Sequence, residues 1–171
     1  KTKITRFDKS IDDRISNQVE MSEGEIGVIV IEGWCFGAEP QFENQLITPV
    51  NELERLKDPD GTCRRYINNA LATSYPKLFK MAHSTIMLRA PDFDSVFEWR
   101  LEQEEKLIEK LKLTHDGLVG MSVMSKEEIF EFIQSFQRIT ETCIERMPTK
   151  VNHLLQLDPQ REIIEYRTLN P

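Results

Sequence analysis

Three clusters of side chains in this chain are of types that could do chemistry. Glu32 follows the apolar, β-branched run Ile26-Gly27-Val28-Ile29-Val30-Ile31 and precedes Gly33-Trp34. In open α/β sheets ligands sit beyond the carboxyl ends of the strands. A carboxylate placed there could hold Mg²⁺ or one of its waters, or orient a hydroxyl. It could equally cap the next turn or pair with an arginine. Arg6-Phe7-Asp8-Lys9-Ser10-Ile11-Asp12-Asp13-Arg14 crowds six charges into nine residues. That segment could be a pocket wall whose carboxylates orient a hydroxyl and whose cations hold an anion. The other reading is a solvated loop or a helix start capped by Ser10 or Asp12. On a third segment Arg100, Gln103 and Glu104 stand at i, i+3 and i+4 and so share one helix face. An arginine and a glutamine there could fork onto phosphate oxygens, whereas an Arg100–Glu104 surface pair would contribute a few tenths of a kcal/mol.

The remaining reactive types read as structural. His83, His115 and His153 are scattered, with no HExxH pairing for a metal. Cys35, Cys63 and Cys143 are odd in number and show no CxxC spacing, against a disulfide framework or a zinc knuckle. Met121 and Met124 read as space-fillers.

Charge and length narrow the classes. Twenty-nine acids against 22 Lys and Arg give a net charge of −7, so the basic footprint of a nucleic-acid binder is absent. A Lys/Arg cluster for anionic lipid is absent too. The apolar runs are far shorter than the roughly 18 residues of a membrane span, and Lys1 to Arg6 lacks the apolar run of a secretory signal. The expectation is a cytoplasmic domain with no nucleic-acid or membrane partner. At 171 residues it can bury a real core as one unit.

The elements that must position these side chains follow from periodicity. Ile26 to Ile31 has no alternation, which predicts a strand buried on both faces in a parallel sheet. Further strands are expected at Thr85–Arg89 and His153–Leu157, with an alternating edge strand at Glu162–Tyr166. A short helix is expected at Val50–Leu56 and a longer one from Arg64 to Met81, broken near Pro76. A helical stripe runs Phe93, Val96, Phe97, Leu101, Leu107, Ile108, Leu111. Ser125-Lys126-Glu127-Glu128 is a capping box, and Pro148 should end the helix it starts. Asp58-Pro59-Asp60-Gly61 is a turn, lacking the further acids of a calcium loop. Strands alternating with helices predict a three-layer α/β domain.

Several of these motifs together resemble one family. Phe7-Asp8-Lys9-Ser10 with Asp13-Arg14, the Ile29–Gly37 stretch containing Glu32-Gly33-Trp34, and Pro91-Asp92-Phe93 with Val96, Trp99-Arg100 and Gln103-Glu104 are similar to the D-glycerate 3-kinases. Gly120-Met121-Ser122 and the acid-rich stretch from Glu127 to Arg138 fit the same pattern. That family is related to uridine kinase, pantothenate kinase and phosphoribulokinase. The resemblance spans essentially the whole chain. It implies an α/β, three-layer P-loop NTPase (kinase) fold with a mostly parallel sheet, and residues 1–171 as the C-terminal two-thirds of one domain. Residues 92–113, approximately, would be its lid helix.

The implied reaction is transfer of the γ-phosphoryl group of ATP, with Mg²⁺, to a hydroxyl of a small hydroxy acid, D-glycerate giving 3-phosphoglycerate. By the same resemblance Glu32, Asp8 and Arg100 would be catalytic, with Glu32 reaching the metal through water. Lys9, Asp13, Arg14 and Trp34 would bind the acceptor, Arg100 and Gln103 the nucleotide, and Phe36 would help Trp34 exclude water. Relatives carry a Gly-rich insertion between the Asp-Lys-Ser and Asp-Arg elements; here only Ile11 and Asp12 stand there. None of the seven glycines precedes a lysine, so the phosphate-cradling GxxxxGK[ST] loop is not in these residues. The kinase reading therefore expects roughly 80–130 further residues before Lys1, carrying a strand, that loop and a helix. The alternatives are a kinase of the same fold with another alcohol or a nucleoside as acceptor, and a non-catalytic binding or regulatory protein.

Overall fold

The computed structural model describes residues 2–8, 13–22, 26–114 and 124–169. Its second half follows the sequence pattern closely. Strands β3 (Ile86–Arg89) and β4 (His153–Leu157) pair in parallel, with Leu88 opposite Leu155. Strand β5 (Ile163–Thr168) runs antiparallel beside β4, with Tyr166 opposite Leu155. The sheet is thus mixed, and among the described residues parallel pairing is confined to β3 and β4. Successive side chains alternate across a strand. Arg89 turns toward the helices and donates from Nε to the carbonyl of Ile144 at 3.0 Å. Ile86, Leu88 and Tyr166 lie exposed on the other face. The expected third layer is not seen among the described residues.

The helices form where capping and periodicity require them. Helix α5 (Lys126–Arg146) starts at Ser125, whose hydroxyl accepts from the Glu128 N–H while the Glu128 carboxylate accepts from the Ser125 N–H. It buries Ile129, Ile133 and Cys143 and passes into a 3-10 turn, Met147–Thr149, that contains Pro148. Helix α4 spans Phe93–Thr114, with Asp92 accepting from the Ser95 N–H at 2.7 Å. Helix α1 spans Glu52–Lys57. Pro76 divides the next stretch as expected, into α2 (Thr62–Thr73) and α3 (Tyr75–Phe79), because proline is tolerated only in a first turn. The Asp58–Gly61 turn caps α2. Asp58 accepts from the N–H groups of Cys63 and Arg64, and Gly61 supplies the left-handed φ of +76°.

A cluster of Ala38, Leu71 and Cys143, packed by Cys35, Ile139 and Met147, ties α2 and α5 to the segment after Trp34. Beside it lies a buried polar network with no forerunner in the sequence reading. Arg138 forks onto Glu54 through Nε and Nη2 at 2.7 and 2.6 Å, and donates to the carbonyls of Gln45 and Thr48. Arg64 donates to the carbonyls of Leu46 and Asp58, both at 2.6 Å. Buried backbone carbonyls must be satisfied, and in residues 45–48 no regular ladder does so. The two guanidiniums pin that loop instead.

Two expectations are corrected. Ile26–Ile31 is not a hydrogen-bonded strand, and Val28 and Val30 are 81% and 85% exposed. A doubly apolar strand needs neighbours to take its N–H and C=O groups and to cover both faces. Among the described residues none pairs with it. The charged N-terminal segment, read as a loop or helix start, is instead an antiparallel hairpin of β1 (Thr2–Asp8) and β2 (Asp13–Ser22). Asp8, Asp13 and Arg14 stand at one end of this ladder, and the register pairs Thr5 with Val19 further along.

Candidate functional site

The site is built around the turn Trp34-Cys35-Phe36-Gly37. Phe36 and Ala38 donate to the carbonyls of Gly33 and Cys35, at 3.2 and 3.0 Å, and both Cys35 (φ 58°) and Gly37 (φ 87°) are left-handed. Helix α5 holds this turn. The Trp34 ring stacks on Phe136, its indole N–H donates to the Thr140 hydroxyl, and the Cys35 sulfur lies 3.6 Å from the same hydroxyl. A hydrogen bond with Cys143 holds the Cys35 thiol below its ordinary value against the opposing effect of burial, and Thr140 adds to it. The same bond and burial push Cys143 up.

An open cleft of about 460 Å³ lies beside this turn, lined by Trp34, by Val96, Trp99, Arg100 and Gln103 of α4, by Phe132 of α5, and by Arg161. Arg100 donates to Glu104 at 2.6 Å and sits over the Phe132 ring, 5.8 Å from its centroid. Glu104 is only 3% exposed and also accepts from the Met124 N–H, so this is an enclosed pair and not the surface pair weighed from the sequence. Phe97 of α4 meets Phe130 of α5 edge-on, with centroids 5.7 Å apart.

Of the residues chosen from the sequence, the structure therefore gathers Trp34, Arg100 and Gln103 in one cleft. Glu32 is exposed, two positions before Trp34, and is not among the lining residues. Asp8, Asp13 and Arg14 stand together at one end of the β1–β2 ladder, with Asp8 opposite Asp13 and Phe7 opposite Arg14, and are not among the lining residues. The Arg14 N–H is bonded to the Asp13 carboxylate at 2.6 Å. Lys9 and Gly120–Ser122 lie outside the described residues. Phe36 is corrected: it packs edge-on against Phe79 of α3, centroids 4.9 Å apart, and does not wall the cleft.

Arg161 was missed. It belongs to the turn between β4 and β5, where Asp158 accepts from the N–H groups of Gln160 and Glu162 and Arg161 is left-handed at φ 69°. The Asp158-Pro159 pair signalled the turn, but nothing in the spacing said that the turn faces α4. Trp99 makes that connection, its indole N–H donating to the carbonyl of Pro159 at 2.7 Å.

The cleft presents two guanidiniums, an amide and three aromatic rings, a set suited to an anionic, partly planar ligand. Among the described residues no three His, Cys, Asp or Glu side chains cluster closely enough to hold a metal ion. No described helix is long and apolar enough to cross a membrane.

No family model matches the chain. Over 108 residues, 63% of the chain, it is 29% identical to the uncharacterized kinase mug58 of Schizosaccharomyces pombe, covering 35% of that protein. Over 141 residues, 80% of the chain, it is 26% identical to the chloroplastic D-glycerate 3-kinase of Arabidopsis thaliana, covering 26% of it. Among solved structures, the D-glycerate 3-kinase from Cryptococcus neoformans var. grubii superposes with a TM-score of 0.74 at 23% identity, over 98% of this chain and 60% of that one. The YGR205w protein superposes at 0.55 with 18% identity, over 99% of this chain and 58% of that one. The chain thus spans about a third or less of the curated relatives and under two-thirds of the solved ones. It resembles the D-glycerate 3-kinases, its fold is α/β, and that fold matches part of a kinase structure.

Proposed function

We propose that this chain is the acceptor and lid portion of a small-molecule kinase of the P-loop fold, one that transfers the γ-phosphoryl group of ATP to a hydroxyl of D-glycerate. The observation that carries the reading is the convergence of Arg100, Gln103 and Trp34 on one cleft beside the turn that follows Glu32. The kinase relatives support the class of reaction. Phosphoryl transfer is mostly positioning and neutralisation of charge. In this reading Arg100, held by Glu104 and Phe132, meets phosphoryl oxygens from α4, and Gln103 adds a donor one turn of helix away. Trp34 walls the site against water, while the Asp8, Asp13 and Arg14 tip of the hairpin and Glu32 orient the acceptor. Mg²⁺ is commonly held by one or two carboxylates together with substrate phosphates and waters, so Glu32 would reach the metal of the magnesium–nucleotide substrate through water, or orient the acceptor hydroxyl.

The phosphate-cradling loop that the reaction needs is not among these residues, so the reading expects it N-terminal to Lys1. The testing experiment takes the full-length gene product and follows ADP formation from ATP against a panel of hydroxy acids and nucleosides. Turnover with D-glycerate above the rest is expected. Turnover with a nucleoside or another alcohol alone would move the acceptor, and no turnover with any hydroxyl would leave a binding protein. Glu32→Gln should lower kcat about 10²-fold or more with the fold intact, on the scale of general acid–base contributions. An unchanged kcat would remove Glu32 from the site.

A further inference from the structure

Arg161 and Arg100 reach the same cleft from different elements by matching constructions. Arg100 lies over Phe132 and pairs with Glu104; Arg161 lies over Trp99, 6.0 Å from its centroid, and pairs with Glu102. Glu102 and Glu104 are both on α4. The two pairs differ in one respect that matters. Glu104 is buried and committed to Arg100, whereas the Glu102 carboxylate is 36% exposed and is shared between Arg161 and Lys106. If Arg161 turned away, Glu102 would keep a cationic partner. Arg161, 42% exposed, is therefore an exchangeable cation facing an open cleft.

The chain carries a net charge of −7, so a pair of guanidiniums facing one cleft stands out against the general field. An arginine stacked on an indole is held with its fork pre-arranged for phosphate oxygens, which lysine cannot imitate. We infer that Arg161 is a second anion-binding group of the cleft, exchanging Glu102 for the polyphosphate chain of a nucleotide while Arg100 holds the same chain from α4. This rests on the kinase reading for the ligand's class, but it assigns a residue that the motif comparison did not.

The experiment titrates the full-length gene product and its variants with inorganic tripolyphosphate, ATP, adenosine and glycerate, following binding by calorimetry. Tripolyphosphate and ATP should bind, and adenosine and glycerate should bind at least tenfold more weakly. Arg161→Ala should weaken both phosphate ligands about tenfold, the loss of one charge-assisted contact, and Arg161→Lys should recover little of it. Glu102→Gln should have the opposite sign, tightening both several-fold because the competing carboxylate is gone. An Arg161–Glu102 pair that only braces the turn predicts no change in either variant. The opposed signs keep the test decisive even where Arg161→Ala loosens the fold. No phosphate response in the parent chain, or equal affinity in parent, Arg161→Ala and Glu102→Gln, would overturn the inference. Phosphoryl transfer separates it from the kinase reading. Arg161-dependent phosphate binding without transfer by the full-length protein would leave the inference standing and sink the kinase. Transfer undiminished in Arg161→Ala would do the reverse.

Discussion

Trp34 lies flat on Phe136, with ring centroids 4.9 Å apart and 15° between the planes, and its indole N–H donates to Thr140 at 3.0 Å. Phe136 in turn meets Phe132, whose ring lies under the Arg100 guanidinium. A continuous row of rings thus links the turn after Glu32 to the cation of α4. The rings are half-buried or exposed, so the row links the turn and the cation through ring contacts and the Thr140 hydrogen bond.

This row predicts a graded response at Trp34. Trp34→Phe should keep the stack and lose the Thr140 hydrogen bond, costing about 1 kcal/mol. Trp34→Ala should also lose the ring contact and cost about 2–3 kcal/mol, less than for a fully buried ring because Trp34 is 43% exposed. Urea unfolding of the two variants measures this. Equal stability of Trp34→Phe and Trp34→Ala would mean that the stack does not hold the turn.

At Arg100 the structure splits stability from catalysis. Arg100→Ala leaves the buried Glu104 carboxylate without its cation and should lower stability by about 1–3 kcal/mol. Arg100→Lys keeps a charge for Glu104 and should recover most of that loss. It cannot supply the planar fork, so in the full-length enzyme both variants should lose kcat by about 10³-fold, with KM moving less. Steady-state kinetics with thermal melts checks both halves. Normal turnover in Arg100→Lys would remove Arg100 from the phosphate site.

How far the sequence carries the fold can be seen element by element. The Ser125–Glu128 box, the Pro76 break, and strands β3, β4 and β5 were legible because each is a local pattern, enforced by caps, ring geometry or alternation. Ile26–Ile31 was legible as apolar and misleading as structure, because a strand is a relation between segments and its neighbours are not encoded in its own residues. The β1–β2 ladder was hidden by the run of charges from Arg6 to Arg14, which reads as a loop or a helix start. At the site, the i, i+3, i+4 spacing of Arg100, Gln103 and Glu104 showed a shared face, but not that Glu104 is buried and accepts from the Met124 N–H. Arg161 and the Arg138–Glu54 fork were illegible for the same reason: long side chains find partners across 59 to 84 positions of sequence, and composition cannot say which.

The two thiols near Thr140 make a prediction about reactivity. The hydrogen bond with Cys143 is the main cause that holds Cys35 below the ordinary thiol value, while Cys143 is pushed up and buried. Alkylation by iodoacetamide, mapped by peptide mass, should label Cys35 with a midpoint below the usual thiol pKa of about 8.5, and leave Cys143 protected until unfolding. Cys143→Ala should move the Cys35 midpoint upward. A Cys35 midpoint at or above the usual thiol value, unaffected by Cys143→Ala, would show that the contact does not tune it.

The buried fork of Arg138 on Glu54 makes the fold acid-sensitive in a defined window. Burial pushes the Glu54 carboxyl up, but the hydrogen bonds from Arg138 and the Val50 N–H, with the charges of Arg138 and Arg64, outweigh it and hold the group below the usual range. A carboxylate depressed in the folded state contributes stability that is fully present above its unfolded pKa of about 4.3 and is lost as pH falls through the lower folded value. Near pH 7, Glu54→Gln leaves the buried Arg138 guanidinium without its counter-charge, while Arg64 keeps Asp58 at 3.2 Å, and should cost about 3–5 kcal/mol. As pH falls below the unfolded value of about 4.3 and toward the lower folded one, the parent loses this contribution, so the gap between parent and variant should close. Urea unfolding of both proteins from about pH 3 to pH 7 reads this directly. A gap that stays constant across that range would show that Glu54 acts through packing alone, and that the fork contributes no linked proton.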